Sequence, residues 1–276
     1  MESIDVCDAD DYAHKLLVSN QLREPIIRSA IQALQLPSGS RGLDAGCGIG
    51  LQALLLAQAV GSTGHVTGLD LSPAMLLQAK KIVREAGLSG RISFQQGDVN
   101  KLPFDDGSFD WLWSADCAGY PAQEPVPLME ELARVVKRGG IVAIMAWSSQ
   151  TLMPGYPLLE ARLNATSSGI APFTKNMSPE SHHLRAPAWL RDAGLKEVEV
   201  RSFVGDVHAP LSDEIRAGLL ALIEMRWPGA KSELGSEDWA EYQRLCQPAS
   251  PDFILDLPGY YAFFTYSLFC ARVSQS

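Results

Sequence analysis

Leu43-Asp44-Ala45-Gly46-Cys47-Gly48-Ile49-Gly50 reads as a strand that runs through a glycine turn into a helix, expected at residues 51–60. Glycines adopt positive φ and let a ligand lie against backbone N–H groups, so this loop predicts a bound nucleoside cofactor. Its spacing is G-x-G-x-G, whereas dinucleotide-binding loops follow G-x-G-x-x-G. The loop therefore favours a nucleoside other than a dinucleotide.

On either side of this loop, extended apolar runs alternate with helical ones. This βα alternation predicts a parallel sheet covered by helices on both faces. Ser72-Pro73 marks a helix start, with Ser as the N-cap and Pro in the first turn. Strands are expected at residues 43–45, 65–70, 92–96, 109–114 and 141–147, and further helices at 75–86 and 127–136.

The second half of the chain departs from this rhythm. Residues 148–187 are rich in Pro, Gly, Ser and Asn, and a connection this long predicts a lid or an acceptor wall. Beyond it, helices are expected at 188–193, 213–226 and 236–246, and strands at 198–204 and 261–273.

Each of the first three predicted strands has an acidic residue within it or just after it. Asp70 ends the second strand about 20 residues past the loop, where nucleotide-binding α/β proteins accept hydrogen bonds from ribose hydroxyls. Asp98, in Gln96-Gly97-Asp98-Val99, follows the third strand, as Asp44 belongs to the first. Parallel strands bring these carboxylates to one edge of the sheet, which is where open α/β sheets bind ligands.

These motifs, with Leu102-Pro103-Phe104 and Phe109-Asp110-Trp111-Leu112-Trp113-Ser114, resemble those of class I S-adenosylmethionine (SAM)-dependent methyltransferases over residues 40–147. The similarity is greatest to small-molecule methyltransferases of the ubiquinone and menaquinone biosynthesis type. It implies an α/β fold: a Rossmann-like seven-stranded sheet, helices on both faces and a small helical cap from insertions in the C-terminal half. Three parts are expected: a helical segment at 1–40, a SAM-binding core at 41–147, and completion of the sheet with lid and cap at 148–276.

The resemblance also implies roles for individual residues. Leu71 and Met75 are expected to pack on the adenine, Asp98 to accept from its amino group, and the Val99 N–H to meet a ring nitrogen. The backbone near Ser114 is expected to contact the methionine part. The expected cofactor-binding residues are Asp44, Gly46, Cys47, Gly48, Gly50, Asp70, Leu71, Met75, Asp98, Val99 and Ser114.

Methyl transfer requires the nucleophile held in line about 3 to 3.5 Å from the methyl group, so positioning supplies much of the catalysis. A base assists where the acceptor is a hydroxyl, phenol, amine or acidic carbon. Candidates for it are Tyr12, Asp116, His182 and His183, with His14, Cys117 and Tyr120 nearby in the chain. No metal ligand set is evident, because the five cysteines are scattered without a C-x-x-C pair.

Charge and composition limit the kinds of partner that the protein is expected to bind. A net charge of −9 opposes binding to nucleic acid, and no apolar run is long enough to span a membrane. The acidic N-terminus lacks the pattern of a signal peptide, so a cytoplasmic location and a small-molecule acceptor are expected. Two alternatives stay open, an NAD-linked Rossmann oxidoreductase and a SAM-binding protein without catalysis. The acceptor's identity and the oligomeric state stay open as well.

Overall fold

A seven-stranded sheet forms the centre of the computed structural model, which describes residues 6–120 and 124–275. The strands are β1 (Arg41–Ala45), β2 (His65–Asp70), β3 (Ile92–Gln96), β4 (Phe109–Ala115), β5 (Val136–Thr151), β6 (Lys196–His208) and β7 (Tyr261–Arg272). Their order is β3-β2-β1-β4-β5-β7-β6, and β7 alone in this described sheet runs antiparallel to both of its neighbours. This confirms the predicted seven-stranded Rossmann-like sheet.

Helices cover both faces of the sheet. Side chains of a strand alternate between faces, so Trp111 and Trp113 pack in one buried cluster with helices α2 and α3, and Leu112 packs in another with α5 and α8. The helices are α1 (Val6–Val18), α2 (Asn20–Ala33), α3 (Leu51–Ala59), α4 (Pro73–Glu85), α5 (Pro125–Arg134), α6 (Pro157–Asn164), α7 (Ser167–Ile170), α8 (Ala186–Asp192), α9 (Asp213–Arg226) and α10 (Ser236–Cys246).

Local sequence explains where the helices beside the glycine loop begin. Gly50 precedes α3 at φ 77°, a left-handed conformation that favours glycine. Ser72 caps α4 by accepting a hydrogen bond from the Met75 N–H over 3.3 Å, with Pro73 at the first helical position. Both helices therefore start at the C-terminal edge of the sheet, next to the loop.

The predicted start of the fifth strand is wrong. The helix expected at 127–136 ends at Arg134, and Val136 already pairs with Phe109. Pairing resumes only at Ile141, opposite Trp111, so Arg138-Gly139-Gly140 forms a bulge inside β5. Gly139, at φ 75°, donates its N–H to the Val273 carbonyl over 2.9 Å, which holds the bulge against the chain beyond β7.

Two other expectations also need correction. The βα rhythm breaks after β3, because residues 97–108 reach β4 without a helix. Residues 148–187, expected as one long connection, include the end of β5, helices α6 and α7, and the start of α8. Their Pro and Gly residues separate these short elements.

The insertion between β6 and β7 forms the expected helical layer. Helix α9 packs against α1 and α2, and Trp227, Phe253 and Tyr260 from this region are buried in the core. The N-terminal helices and the C-terminal insertion thus cover the same end of the molecule. Among the described helices, none has both the length and the apolar character that crossing a bilayer requires.

Candidate active site

The glycine loop lies at the C-terminal edge of the sheet, and the open space beside its Gly48 is called the cleft. Gly46 and Gly48 have φ of 80° and 51°. A Cβ on Gly46 would lie 2.1 Å from Sγ of Cys117, so this glycine permits close packing against the segment after β4. A Cβ on Gly48 would meet no atom within 4 Å, so this position faces open space that a ligand can fill.

Asp70 lies at the end of β2 and holds the loop. Its Oδ2 accepts a hydrogen bond from the Gly48 N–H over 2.8 Å, and its Oδ1 accepts one from the Ser72 N–H over 2.9 Å. Each carboxylate oxygen has a second lone pair, so Asp70 can still accept from a ribose hydroxyl. Its predicted role is therefore compatible with these contacts.

Asp44 is a buried acid on β1 whose Oδ2 has no hydrogen-bond partner in the described part of the chain. Burial, with the Asp70 charge as a smaller cause, raises the pKa of Asp44 to about 8. A buried polar atom without a partner is costly, and a bound donor group relieves that cost. The orphaned oxygen and the open space at Gly48 fit a nucleoside cofactor that carries an ammonium group.

The adenine side of the cleft is more exposed. Asp98 is exposed, and its Oδ1 accepts from the backbone and side-chain N–H groups of Asn100 over 2.9 and 2.8 Å. Val99 is half-buried against the core, and Leu71 presents an apolar side chain that is 46% exposed. These groups lie at the ends of β2 and β3, where the resemblance predicts the adenine.

Met75 and Ser114 are more enclosed than their predicted roles require. Met75 is buried with Ala13 and Ile49 beneath α1. The Ser114 hydroxyl donates to the Ala45 carbonyl over 2.6 Å and accepts from a backbone N–H over 3.0 Å. That hydroxyl joins the ends of β1 and β4, so its proton is already used within the protein.

The two cysteines at the loop are neutral thiols. Burial raises the pKa of Cys47 far above its usual range and that of Cys117 to about 12. Neither thiol ionises near neutral pH, so neither has the reactivity of a nucleophilic thiolate.

Asp116, a predicted catalytic candidate, ties three strands together. Its Oδ1 accepts from the Trp147 N–H on β5 over 2.8 Å, and its Oδ2 accepts from the Tyr266 hydroxyl on β7 over 3.0 Å. Burial raises the pKa of this carboxyl despite these two hydrogen bonds. These two hydrogen bonds suit Asp116 to shaping the edge of the site.

Tyr12 reaches the cleft from α1. Its side chain is 46% exposed. Partial removal from water raises the pKa of Tyr12, the charge of Arg23 lowers it, and the charges of Asp116 and Asp70 raise it further. His14, two residues later, is exposed. The structure therefore brings Tyr12 to the glycine loop and the end of β4.

A cavity of about 470 Å³ lies beside this cleft, at the end of β5. It contains His182 and His183, whose rings stack with centroids 4.4 Å apart. Phe173 packs edge-on against His182, and Tyr120 packs edge-on against His183, with ring centroids 5.2 Å apart in each pair. The lining residues are Tyr120, Trp147, Ser148, Ser149, Gln150, Asn164, Gly169, Ile170, Ala171, Phe173, His182, His183 and Arg226.

The two histidines differ in environment. Nδ1 of His182 accepts a hydrogen bond from the Leu184 N–H over 3.3 Å, and burial lowers the pKa of His182. Nε2 of His183 is buried without a partner in the described chain, and burial lowers the pKa of His183 to about 4. Both rings are therefore neutral near pH 7, and His183 has a free polar atom at the cavity.

Several residues of this region escaped prediction from sequence. Arg23, Phe173 and Arg226 come from α2, the segment after α7 and the end of α9, so only the folded chain brings them together. Trp147 was expected only as the end of a strand. Among the side chains described in residues 10–120 and 124–275, no three His, Cys, Asp or Glu are grouped to hold a metal ion.

Comparison with known proteins agrees with this architecture. The family described as "Methyltransferase domain" matches residues 43–140. Demethylmenaquinone methyltransferase of Staphylococcus epidermidis is 31% identical over 199 residues, covering 66% of this chain and 78% of that protein. Methyltransferase GfsG of Streptomyces halstedii is 37% identical over 122 residues, which span 44% of this chain but only 42% of that relative.

A solved structure extends the likeness beyond the matched core. Phosphoethanolamine N-methyltransferase 2 from Haemonchus contortus, in complex with S-adenosyl-L-methionine, superposes with a TM-score of 0.57. The alignment covers 98% of this chain and 58% of that one at 20% identity, so it supports the fold.

Proposed function

The chain belongs to the class I SAM-dependent methyltransferases, and we propose that it methylates a small molecule bound in the cavity at the end of β5. The observation that carries this proposal is the cavity itself, about 470 Å³ in volume. That volume suits a small molecule, and Tyr120 in its wall lies only four residues beyond Asp116. The relative named for demethylmenaquinone supports a small-molecule acceptor.

We assign the cofactor contacts as follows. The orphaned Oδ2 of Asp44 would face the SAM ammonium group, and Asp70 would accept from the ribose while it holds Gly48. Asp98, Val99 and Leu71 would surround the adenine at the exposed end of the cleft. When bound, SAM supplies an electrophilic methyl group on its sulfonium.

On this proposal, catalysis rests mainly on positioning. Asp116 fixes the turn after β4 against β5 and β7, and so sets the distance between cleft and cavity. Neutral His183 has a free Nε2 that can accept a hydrogen bond from an acceptor hydroxyl. Tyr12, un-ionised because its pKa is raised, can orient the acceptor through its hydroxyl.

Charge supports a small molecule rather than a nucleic acid. The net charge of −9 repels phosphate backbones. Cys47, Cys117, Cys246 and Cys270 are free thiols, which is consistent with the cytoplasmic location that we propose.

Methyl-labelled SAM provides the test. The purified protein is incubated with labelled SAM and, separately, with a panel of hydroxylated aromatic molecules, with RNA and with a protein extract. Label in a small-molecule product, together with release of S-adenosylhomocysteine, is the expected result. Label confined to RNA or protein, or no transfer to any acceptor, would overturn the proposal.

A further inference from the structure

We propose that Arg226 binds a carboxylate of the acceptor, so that the substrate class is a small aromatic acid. This inference rests on the proposed function, because it concerns the same cavity. The evidence is the charge, the contacts and the shape of the residues around Arg226.

The charge of the cavity wall is opposite to that of the whole protein. Arg226 is the one lining residue of an always-charged type, and none of the described lining residues is a carboxylic acid. His182 and His183 are neutral because burial lowers the pKa of each ring. A single cation in a wall without carboxylates favours an anionic ligand, although the net charge of the chain is −9.

Arg226 has unused capacity to bind an anion. Its Nη2 donates to the Gly169 carbonyl over 2.9 Å, and its Nε is buried without a partner in the described chain. No salt bridge to Arg226 forms among the residues that the structure describes. A guanidinium is planar and matches the geometry of a carboxylate, so this group is suited to a carboxylate ligand.

Two groups near Arg226, the Asp116 carboxyl and the Tyr120 hydroxyl, leave the guanidinium able to bind an anionic ligand. The charge of Arg226 lowers the pKa of Asp116, but no salt bridge joins these two described side chains, and the Asp116 oxygens accept from Trp147 and Tyr266 instead. Burial raises the pKa of Tyr120, and the charge of Asp116 raises it further. The charge of Arg226 lowers this pKa, as does a hydrogen bond that Arg226 donates to the Tyr120 oxygen. Tyr120 therefore stays a neutral hydroxyl beside the guanidinium, where it can donate to the same anion.

The apolar walls favour a planar acceptor. Trp147 is held by parallel stacking on Phe264, with ring centroids 4.9 Å apart and planes 4° apart. Phe173 and Ile170 supply further apolar surface around the cavity. An aromatic ring fits such walls, and His183 Nε2 can accept from a ring hydroxyl while Arg226 holds the carboxylate.

The test compares 4-hydroxybenzoate with 4-hydroxybenzamide, which has the same shape but no charge. Calorimetry measures the binding of each probe to the protein saturated with S-adenosylhomocysteine. We expect the wild type to bind the acid about 10 to 100 times more tightly than the amide. Arg226→Gln should abolish this preference, and Arg226→Lys should retain part of it. Arg185→Gln, which removes an exposed charge near the histidines, should leave it unchanged.

Each result has one meaning. Equal affinity for acid and amide in the wild type, or no binding of either probe to the cofactor-loaded protein, overturns the carboxylate site. A preference that survives in Arg226→Gln also overturns it. Failure to bind S-adenosylhomocysteine at the outset would instead overturn the proposed function, so the two failures are distinguishable.

Discussion

The Gly48 N–H donates to Asp70 Oδ2 over 2.8 Å, which joins the glycine loop directly to the end of the second strand. The second oxygen of Asp70 accepts from the Ser72 N–H, so one carboxylate positions both the loop and the start of the next helix. The residue expected to bind ribose therefore also shapes the cleft that receives it.

Asp70→Ala should weaken binding of S-adenosylhomocysteine by about 1 to 3 kcal/mol, the usual effect of losing a charged hydrogen-bond acceptor. Asp70→Asn keeps one acceptor oxygen and should lose less affinity. Titration calorimetry at one pH measures both variants. Unchanged affinity in Asp70→Ala would remove this residue from the cofactor site.

Gly46→Ala and Gly48→Ala form a matched pair. Both place a side chain at positive φ, which costs roughly 1 to 2 kcal/mol, but only the first forces a Cβ to within 2.1 Å of Cys117. Urea unfolding should therefore show the larger loss of stability in Gly46→Ala. Gly48→Ala should stay folded and bind S-adenosylhomocysteine weakly, because its methyl group enters the open cleft. Equal stabilities would contradict the close packing at Gly46.

Asp44 should make stability depend on pH. Its folded pKa of about 8 lies above the usual value near 3.9, so between these values the folded state holds a proton that the unfolded state releases. The favourable contribution of neutral Asp44 is thus full at low pH and is lost as pH rises toward 8. Asp44→Asn lacks this titration.

Urea unfolding of the cofactor-free protein at pH 5 and pH 8 checks this. From pH 5 to pH 8 the unfolding free energy of the wild type should fall by at least about 1 kcal/mol more than that of Asp44→Asn. A constant difference would show that Asp44 does not titrate in this range.

Asp116 and Tyr266 should be energetically coupled. Their partly buried hydrogen bond joins the turn after β4 to β7, so Tyr266→Phe should lower the unfolding free energy by about 1 to 3 kcal/mol. In a cycle with Asp116→Asn, the double variant should lose less stability than the two single losses combined, by about 1 kcal/mol. Additive losses would mean that this contact contributes little.

Tyr12→Phe should separate binding from turnover. Loss of the hydroxyl should slow methyl transfer by at least ~10-fold while affinity for S-adenosylhomocysteine stays constant, if this group orients the acceptor. Tyr261→Phe, at an exposed tyrosine on β7, is the control. If Tyr12→Phe transfers methyl groups at the wild-type rate, other groups orient the acceptor and the Tyr12 hydroxyl does not.

The core of the fold followed from local signals, and the cavity did not. Strands β2 and β3 match their predicted bounds because turn residues flank short apolar runs on each side. The start of β5 was missed because Gly139-Gly140 signals a turn, whereas pairing with Phe109 before the bulge and Trp111 after it makes one strand. His183 and Arg226 line the same cavity from two segments far apart in the chain, and no sequence spacing encodes that arrangement.

Titration calorimetry with SAM, S-adenosylhomocysteine and NADH in one buffer tests the central claim most directly. A methyltransferase with this cleft should bind both sulfur nucleosides in the micromolar range and should not bind NADH, because the loop lacks the dinucleotide spacing. Binding of NADH alone, or of none of the three, would contradict the account.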